Sequence, residues 1–378
     1  MTQGDSRELQ RLYRHWGAAV GISTVCGAVL AFFVGGQAPV PIPGEAHPLF
    51  WIGWGPLAAI GIVAFLAVVG ADPQRLRWCV GAAALALVAG VVSGLAAWDR
   101  ADNTAALIAL HLPFVCWATV AMSVSWGRRD RERHLYAFIV QSMEVLVTGG
   151  IYLAAGGIFG GLTFGIFAVL GVELSESLAR VGLAFGIGII PVLAVASVYD
   201  PTVSPAEQSP TGLARILRVM SWLLLPVALA VLALYVFWFI PSYFSRAFED
   251  REVLIVYNAT TIAILTLVTA AVSGGAQRQG ARVLRIAVLS LGTLTLLLNV
   301  YSLAAIVSRI AQYGGLTPNR HAVLGWNTVT VLMLALLLAR SRWTSVDDWL
   351  AEFRVSLARA MVLPIAWAAW VVFGLPLI

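Results

Sequence analysis

Few residues in this sequence could do chemistry, and they are densest from Arg309 to Arg320, R-I-A-Q-Y-G-G-L-T-P-N-R. Two guanidiniums, a phenol and a threonine hydroxyl fall together there, inside an otherwise apolar region. Gly314 and Gly315 suit a left-handed helix exit. Thr317 followed by Pro318 reads as an N-cap with proline at the first helical position. The pattern predicts a tight helical hairpin with an arginine at each shoulder. Two readings follow. One is an ion-pair clamp, with carboxylates drawn from Glu173, Glu176, Glu249, Asp250 or Glu252. The other is an anion site, in which Arg309, Tyr313, Thr317, Arg320 and a helix N-terminus hold a phosphate or carboxylate.

The remaining ionisable candidates lie inside apolar runs, where such groups are costly and often functional. Glu144, one turn after Gln141, reads either as a carboxylate that couples transport to a proton or cation, or as an interfacial partner of Arg128–Arg133. His111 reads as a satisfied core histidine. Asn258, Asn299 and Asn327 suit hydrogen bonding between helices.

Enzyme chemistries fare poorly. Cys26, Cys79 and Cys116 stand singly, and the nearest approach to a metal cluster is His47 beside Glu45. No aspartate lies within an apolar run, which removes an intramembrane aspartyl protease. The early polar segments offer only Glu45, or Asp99 with Asp102, to a lipid-linked glycosyltransferase. The Ser273–Gly275 stretch has no histidine at a definable spacing to activate its serine. All 24 basic residues are arginine, so the lysine-dependent phosphate loop cannot occur. The expectation is no catalytic residue, no metal and no cofactor.

These residues are positioned by a sequence that is 60% hydrophobic and 11% charged over 378 residues, far below the roughly one-quarter charge of soluble domains. Apolar runs near 20 residues recur throughout, the length that crosses about 30 Å of hydrocarbon as a helix. The ten-residue alternation of a membrane barrel is absent. The expected fold is an all-α polytopic bundle forming one integral membrane domain over 1–378. Its eleven transmembrane helices fall at 16–34, 49–70, 78–98, 105–125, 140–171, 178–198, 216–239, 253–273, 284–308, 319–339 and 360–376.

The fifth run is long for one crossing and short for two. Read as one, with the N-terminus cytoplasmic, it leaves only Arg100, Arg180, Arg246, Arg251, Arg309 and Arg320 outside; the other 18 of the 24 arginines lie inside, as the positive-inside rule requires. A cleavable signal peptide is not expected, because the first run is full length and no small-residue cleavage site follows it. Amphipathic interfacial helices are expected at 5–15 (Leu9, Leu12, Tyr13 and Trp16 opposite Arg7, Arg11 and Arg14) and at 344–359. The stretch from Tyr199 to about Arg215, rich in proline, serine and threonine, is the longest inner connection. It is too short to fold as a nucleic-acid-binding module. The partners expected are membrane lipids, with the inner arginines drawn to anionic head groups.

Within the fifth run, Gly157, Gly161 and Gly165 repeat at four-residue spacing, and the sixth adds Gly182 and Gly186. Such faces let helices approach backbone to backbone, inside one bundle, at a subunit interface of a homo-oligomer, or along a pore. Pro56, Pro113, Pro191, Pro226 and Pro364 should kink their helices.

The 309–320 stretch resembles the Arg…Tyr-Gly-Leu-Thr-x-x-Arg signature of a family of bacterial polytopic inner-membrane proteins catalogued as a domain of unknown function. The glycine-rich fifth run and the sixth run are similar too, and the resemblance spans roughly 130–345. Arg309, Tyr313, Thr317 and Arg320 match the signature; Gly314–Gly315 adds a glycine. The resemblance implies a bacterial inner-membrane location and no known reaction. Together these readings lead to the expectation of a transporter or permease-like protein for a small anionic solute or lipid head group. The alternatives are a non-catalytic scaffold or sensor subunit and, behind it, a lipid-processing enzyme.

Overall fold

The computed structural model describes residues 3–35, 49–70, 72–97, 103–172, 175–209, 212–274, 278–312 and 315–377. Every regular element among them is helical. In hydrocarbon a backbone N–H or C=O finds no water, so a segment that closes its own hydrogen bonds is the stable form. The principal helices are α1 (Gln3–Gly35), α2 (Leu49–Gly70), α3 (Pro73–Ala97), α4 (Thr104–Ser125), α5 (Arg131–Val169), α6 (Glu176–Val198), α7 (Gly212–Leu234), α8 (Arg251–Val272), α9 (Arg278–Gln312), α10 (Pro318–Trp343), α11 (Trp349–Ala360) and α12 (Val362–Ala369). Eleven stretches among the described residues are long and apolar enough to cross a membrane, the last running from Trp349 to Leu377. The chain is a multi-pass helical membrane protein.

The long fifth run is a single helix of 39 residues, as the arginine distribution required. Two boundaries differ from expectation. The 5–15 segment is not a separate interfacial helix: α1 continues through it without a break, and no proline interrupts the run. The helix expected over 344–359 begins only at Trp349. Ser345 and Asp348 bond each other in the preceding turn, with Ser345 Oγ 2.8 Å from an Asp348 carboxylate oxygen. The apolar stripe of α11 also turns inward, with Trp349, Phe353 and Leu357 all buried, so this helix is part of its bundle's core.

The chain divides into two compact units, Met1–Gln208 with Val371–Ile378, and Ser209–Trp370. The first boundary falls in the proline-, serine- and threonine-rich connection after α6.

In the first unit α1 crosses α6 closely. A Cβ on Gly188 would lie 2.7 Å from the Gly27 Cα, and one on Gly27 would lie 2.9 Å from the Phe185 carbonyl oxygen. Only hydrogens fit there. Helix prolines are seated on glycines in the same way: Pro56 against Gly90, and Pro113 against Gly55. Phe65, Ile108, Leu112 and Val192 fill the space around these crossings.

The core of the second unit is organised along α9. Leu284, Leu291, Leu298 and Ala305 recur every seven residues and are all buried, a spacing that keeps one seam facing its neighbours. The Trp367 indole lies directly over Gly325 and donates its N–H to the Ala322 carbonyl. Helix starts use side-chain caps: Asp250 accepts from the Glu252 N–H, and Thr317 from the Arg320 N–H.

The crossing makes a test. Gly188→Ala must push two backbones apart, and overpacking of this kind costs about 1–3 kcal/mol. A Cβ on Gly186, two residues away, meets nothing within 4 Å. Thermal unfolding in detergent should show Gly188→Ala several degrees less stable and Gly186→Ala close to the parent.

Candidate functional site

The 309–320 hairpin forms as its residue types predict. α9 ends at Gln312 and α10 begins at Pro318. Gly315 has φ +107°, a conformation that glycine adopts without strain. Thr317 is extended, with φ −78° and ψ 159°, and caps α10. The Arg320 guanidinium donates to the Gly315 carbonyl at 2.8 Å, and the Arg309 guanidinium donates to the Glu249 carbonyl at 3.1 Å. Arg309 therefore reaches the segment in which Glu249 was expected as an ion-pair partner, and there it bonds the backbone. The Asp250 carboxylate is engaged as the α8 cap, and Glu176 pairs with Arg180 on its own helix. Tyr313, Gly314 and Glu173 lie outside the described residues. So do Glu45, His47, Asp99 and Asp102, and the side chains of Arg7 and Arg11.

Glu144 is 5% exposed, although α5 buries otherwise only Tyr136 and Ile139 among its described side chains. It lies 13 residues beyond Arg131, roughly 20 Å along the helix at 1.5 Å per residue. The carboxylate faces the interior of the first unit. Hydrogen bonds flank it. Gln141 donates to the Pro205 carbonyl at 2.8 Å, and the Trp117 indole donates to Ser142 at 2.9 Å. His111 is buried and donates from Nδ1 to the Leu107 carbonyl at 2.7 Å, as expected of a core histidine. Asn299 bridges helices by donating to the Thr261 hydroxyl at 2.8 Å. Asn327 donates to Val323 of its own helix.

The glycine faces stand elsewhere than tight packing inside one bundle would put them. A Cβ on Gly157, Gly161, Gly165, Gly182 or Gly186 would meet no atom of the first unit within 4 Å. The close crossing uses Gly27 and Gly188, which the four-residue spacing does not reveal.

A polar cavity of about 220 Å³ at one end of the first unit was not anticipated. It opens where α3 begins and α4 ends, and its lining includes Arg75, Arg128, Asp72, Gln74, Trp78 and Trp126. The sequence places these arginines in two separate inner loops and gives no spacing that would join them. No protein family, curated protein or solved structure matches the chain.

Proposed function

We propose that this chain is a permease-like protein of the bacterial inner membrane, a member of the uncharacterised family its hairpin resembles, handling a small anionic solute or lipid head group. The observation that supports this best is Glu144. A carboxylate turned inward, 5% exposed, on a helix that otherwise shows its span to the surroundings is expensive in hydrocarbon. Groups of that kind are retained where a proton or cation is exchanged. Arg309, Tyr313, Thr317 and Arg320 provide the anion-binding counterpart in the second unit. Backbone carbonyls hold both guanidiniums, that of Arg309 on Glu249 and that of Arg320 on Gly315 at the N-terminus of α10, which attracts negative charge.

A second reading, a scaffold or sensor subunit that assembles through the membrane, is favoured by the glycine face of α5 that its own unit leaves uncovered. Covering that face with a second copy or another membrane protein would make the fifth helix a contact surface.

Three measurements test the proposal. Leu316, 51% exposed before α10, should be labelled as Leu316→Cys by an impermeant maleimide added outside intact cells. Ser345→Cys, beyond the other end of the same helix, should not. The reverse pattern sinks the orientation and the outward-facing site with it. The native cysteines are all buried, so background labelling is low.

Paired Arg309→Gln and Arg320→Gln should weaken the stabilisation of the purified protein by short carboxylates about tenfold or more. A protein that simply unfolds supports the clamp. Retention of full stabilisation removes the anion site.

In proteoliposomes carrying an internal pH dye, the anion that stabilises the parent should drive proton movement, and Glu144→Gln should abolish it without lowering the melting temperature. Unchanged proton movement in that variant rejects the coupling role.

A further inference from the structure

The cavity at the α3–α4 end of the first unit is lined by neither Glu144 nor a hairpin residue, and its chemistry is distinct. Arg75 is 7% exposed. One of its terminal nitrogens bonds the Pro201 carbonyl, while its Nε is buried with no hydrogen-bond partner. A buried guanidinium charge is costly, and an anion in the cavity that Arg75 lines would offset it. Arg128 lines the same space, its Nε fixed on the Val124 carbonyl at 2.9 Å. Asp72 also lines it, but one carboxylate oxygen accepts the Gln74 backbone N–H at 3.0 Å and so starts α3. Two guanidiniums against one carboxylate leave the lining positive.

Its walls are aromatic. Trp78 and Trp126 stand with ring centroids 5.8 Å apart, and Arg131 lies 4.2 Å over the Trp126 ring. Gly127 has φ +73°, and a Cβ there would come within 3.2 Å of the Trp78 Nε1. Tryptophans at helix ends among arginines mark the membrane–water interface on the arginine-rich side. A guanidinium fork matches two oxygens of a phosphoryl group and is less suited to a halide.

We infer that this cavity binds a phosphoryl group, held by Arg75 and Arg128 at the inner surface of the membrane. The group arrives either as the head of an anionic phospholipid or as free or solute-borne phosphate. The two sources share the same contacts and differ in whether acyl chains accompany them.

The test uses the full-length protein in detergent, with thermal stability followed against inorganic phosphate, dioctanoyl phosphatidylglycerol and dioctanoyl phosphatidylcholine. The parent should be stabilised saturably by phosphate or phosphatidylglycerol and much less by phosphatidylcholine. Arg128→Gln should raise the apparent Kd about tenfold, the weight of a charge-assisted fork. Arg129→Gln, which removes the same charge from an exposed neighbour, should change it less than about twofold, as expected of a screened surface charge. Because Arg128 also holds a backbone carbonyl, Gln74→Glu provides a second variant. It adds a carboxylate at the rim without removing the backbone bond and should weaken binding comparably.

Phosphatidylglycerol acting alone identifies a lipid head group, and phosphate acting alone identifies a soluble ligand. No saturable stabilisation of the parent, or equal losses for Arg128→Gln and Arg129→Gln, overturns the inference. Repeated in the paired Arg309→Gln and Arg320→Gln variant, where the hairpin contributes nothing, stabilisation by phosphate or phosphatidylglycerol should keep the same dependence on Arg128, so failure here and failure of the hairpin site are read separately.

Discussion

A helix in lipid closes its own hydrogen bonds except at its last turn, where carbonyls are left without partners. How those ends are satisfied organises much of this chain. Arginine supplies many of the donors. Arg14 reaches the Val68 carbonyl near the end of α2, and Arg75 holds Pro201. In the second unit Arg285 bonds Ser341, and Arg354 bonds both Val272 and Gly274 at the end of α8. The contacts to Val68, Ser341 and Val272 lie in the last turns of their helices, where a cation meets the negative end of the helix dipole. The planar fork of arginine can hold two carbonyls at once, as Arg354 does. A lysine ammonium has no fixed geometry for that. The absence of lysine in the sequence thus has a structural counterpart, whatever its origin.

Inside the spans the same need is met more locally. Thr119, Ser123, Ser125, Thr261 and Thr295 each return their hydroxyl to a carbonyl of the preceding turn. A hydroxyl satisfied on its own helix does not bind a neighbour by donating. Asn299, with two donors, bonds its own Thr295 carbonyl and still reaches the Thr261 hydroxyl on α8. Interhelical polar contacts are made instead by amides, indoles and arginines, and by tyrosine hydroxyls such as Tyr152 on Ser197 and Tyr235 on Tyr257.

Much of the architecture was legible. The eleven runs, the unbroken fifth helix and the Thr317–Pro318 start each follow from hydropathy, arginine distribution or cap chemistry, which are properties of contiguous residues. What was not legible involves pairs distant in sequence. Gly27 and Gly188 make the close crossing, yet neither stands in a four-residue glycine repeat, whereas the repeats that do exist face away from their own unit. Arg75 and Arg128 meet at one cavity from loops some fifty residues apart. The arginines that sequence reasoning assigned to lipid attraction include several that turn inward to carbonyls, because a charge count records which side of a membrane a residue lies on and not the direction of its side chain.

The position of α5 shows why its one buried carboxylate is informative. Apolar exposure on this helix costs nothing in lipid, since hydrocarbon solvates Leu146 or Phe159 as well as a protein core would. Burial of apolar surface therefore does little to hold α5 against its neighbours. Directional bonds do more: Gln141 to Pro205, Ser142 to Trp117, and Tyr152 to Ser197 at 2.6 Å. These anchors lie within three turns of one another and fix one face of the helix toward the first unit. Glu144 lies in the same stretch. A carboxylate on the lipid side of α5 would be free to slide or snorkel with its helix. On the anchored side its surroundings are fixed by the bonds that hold the helix in place.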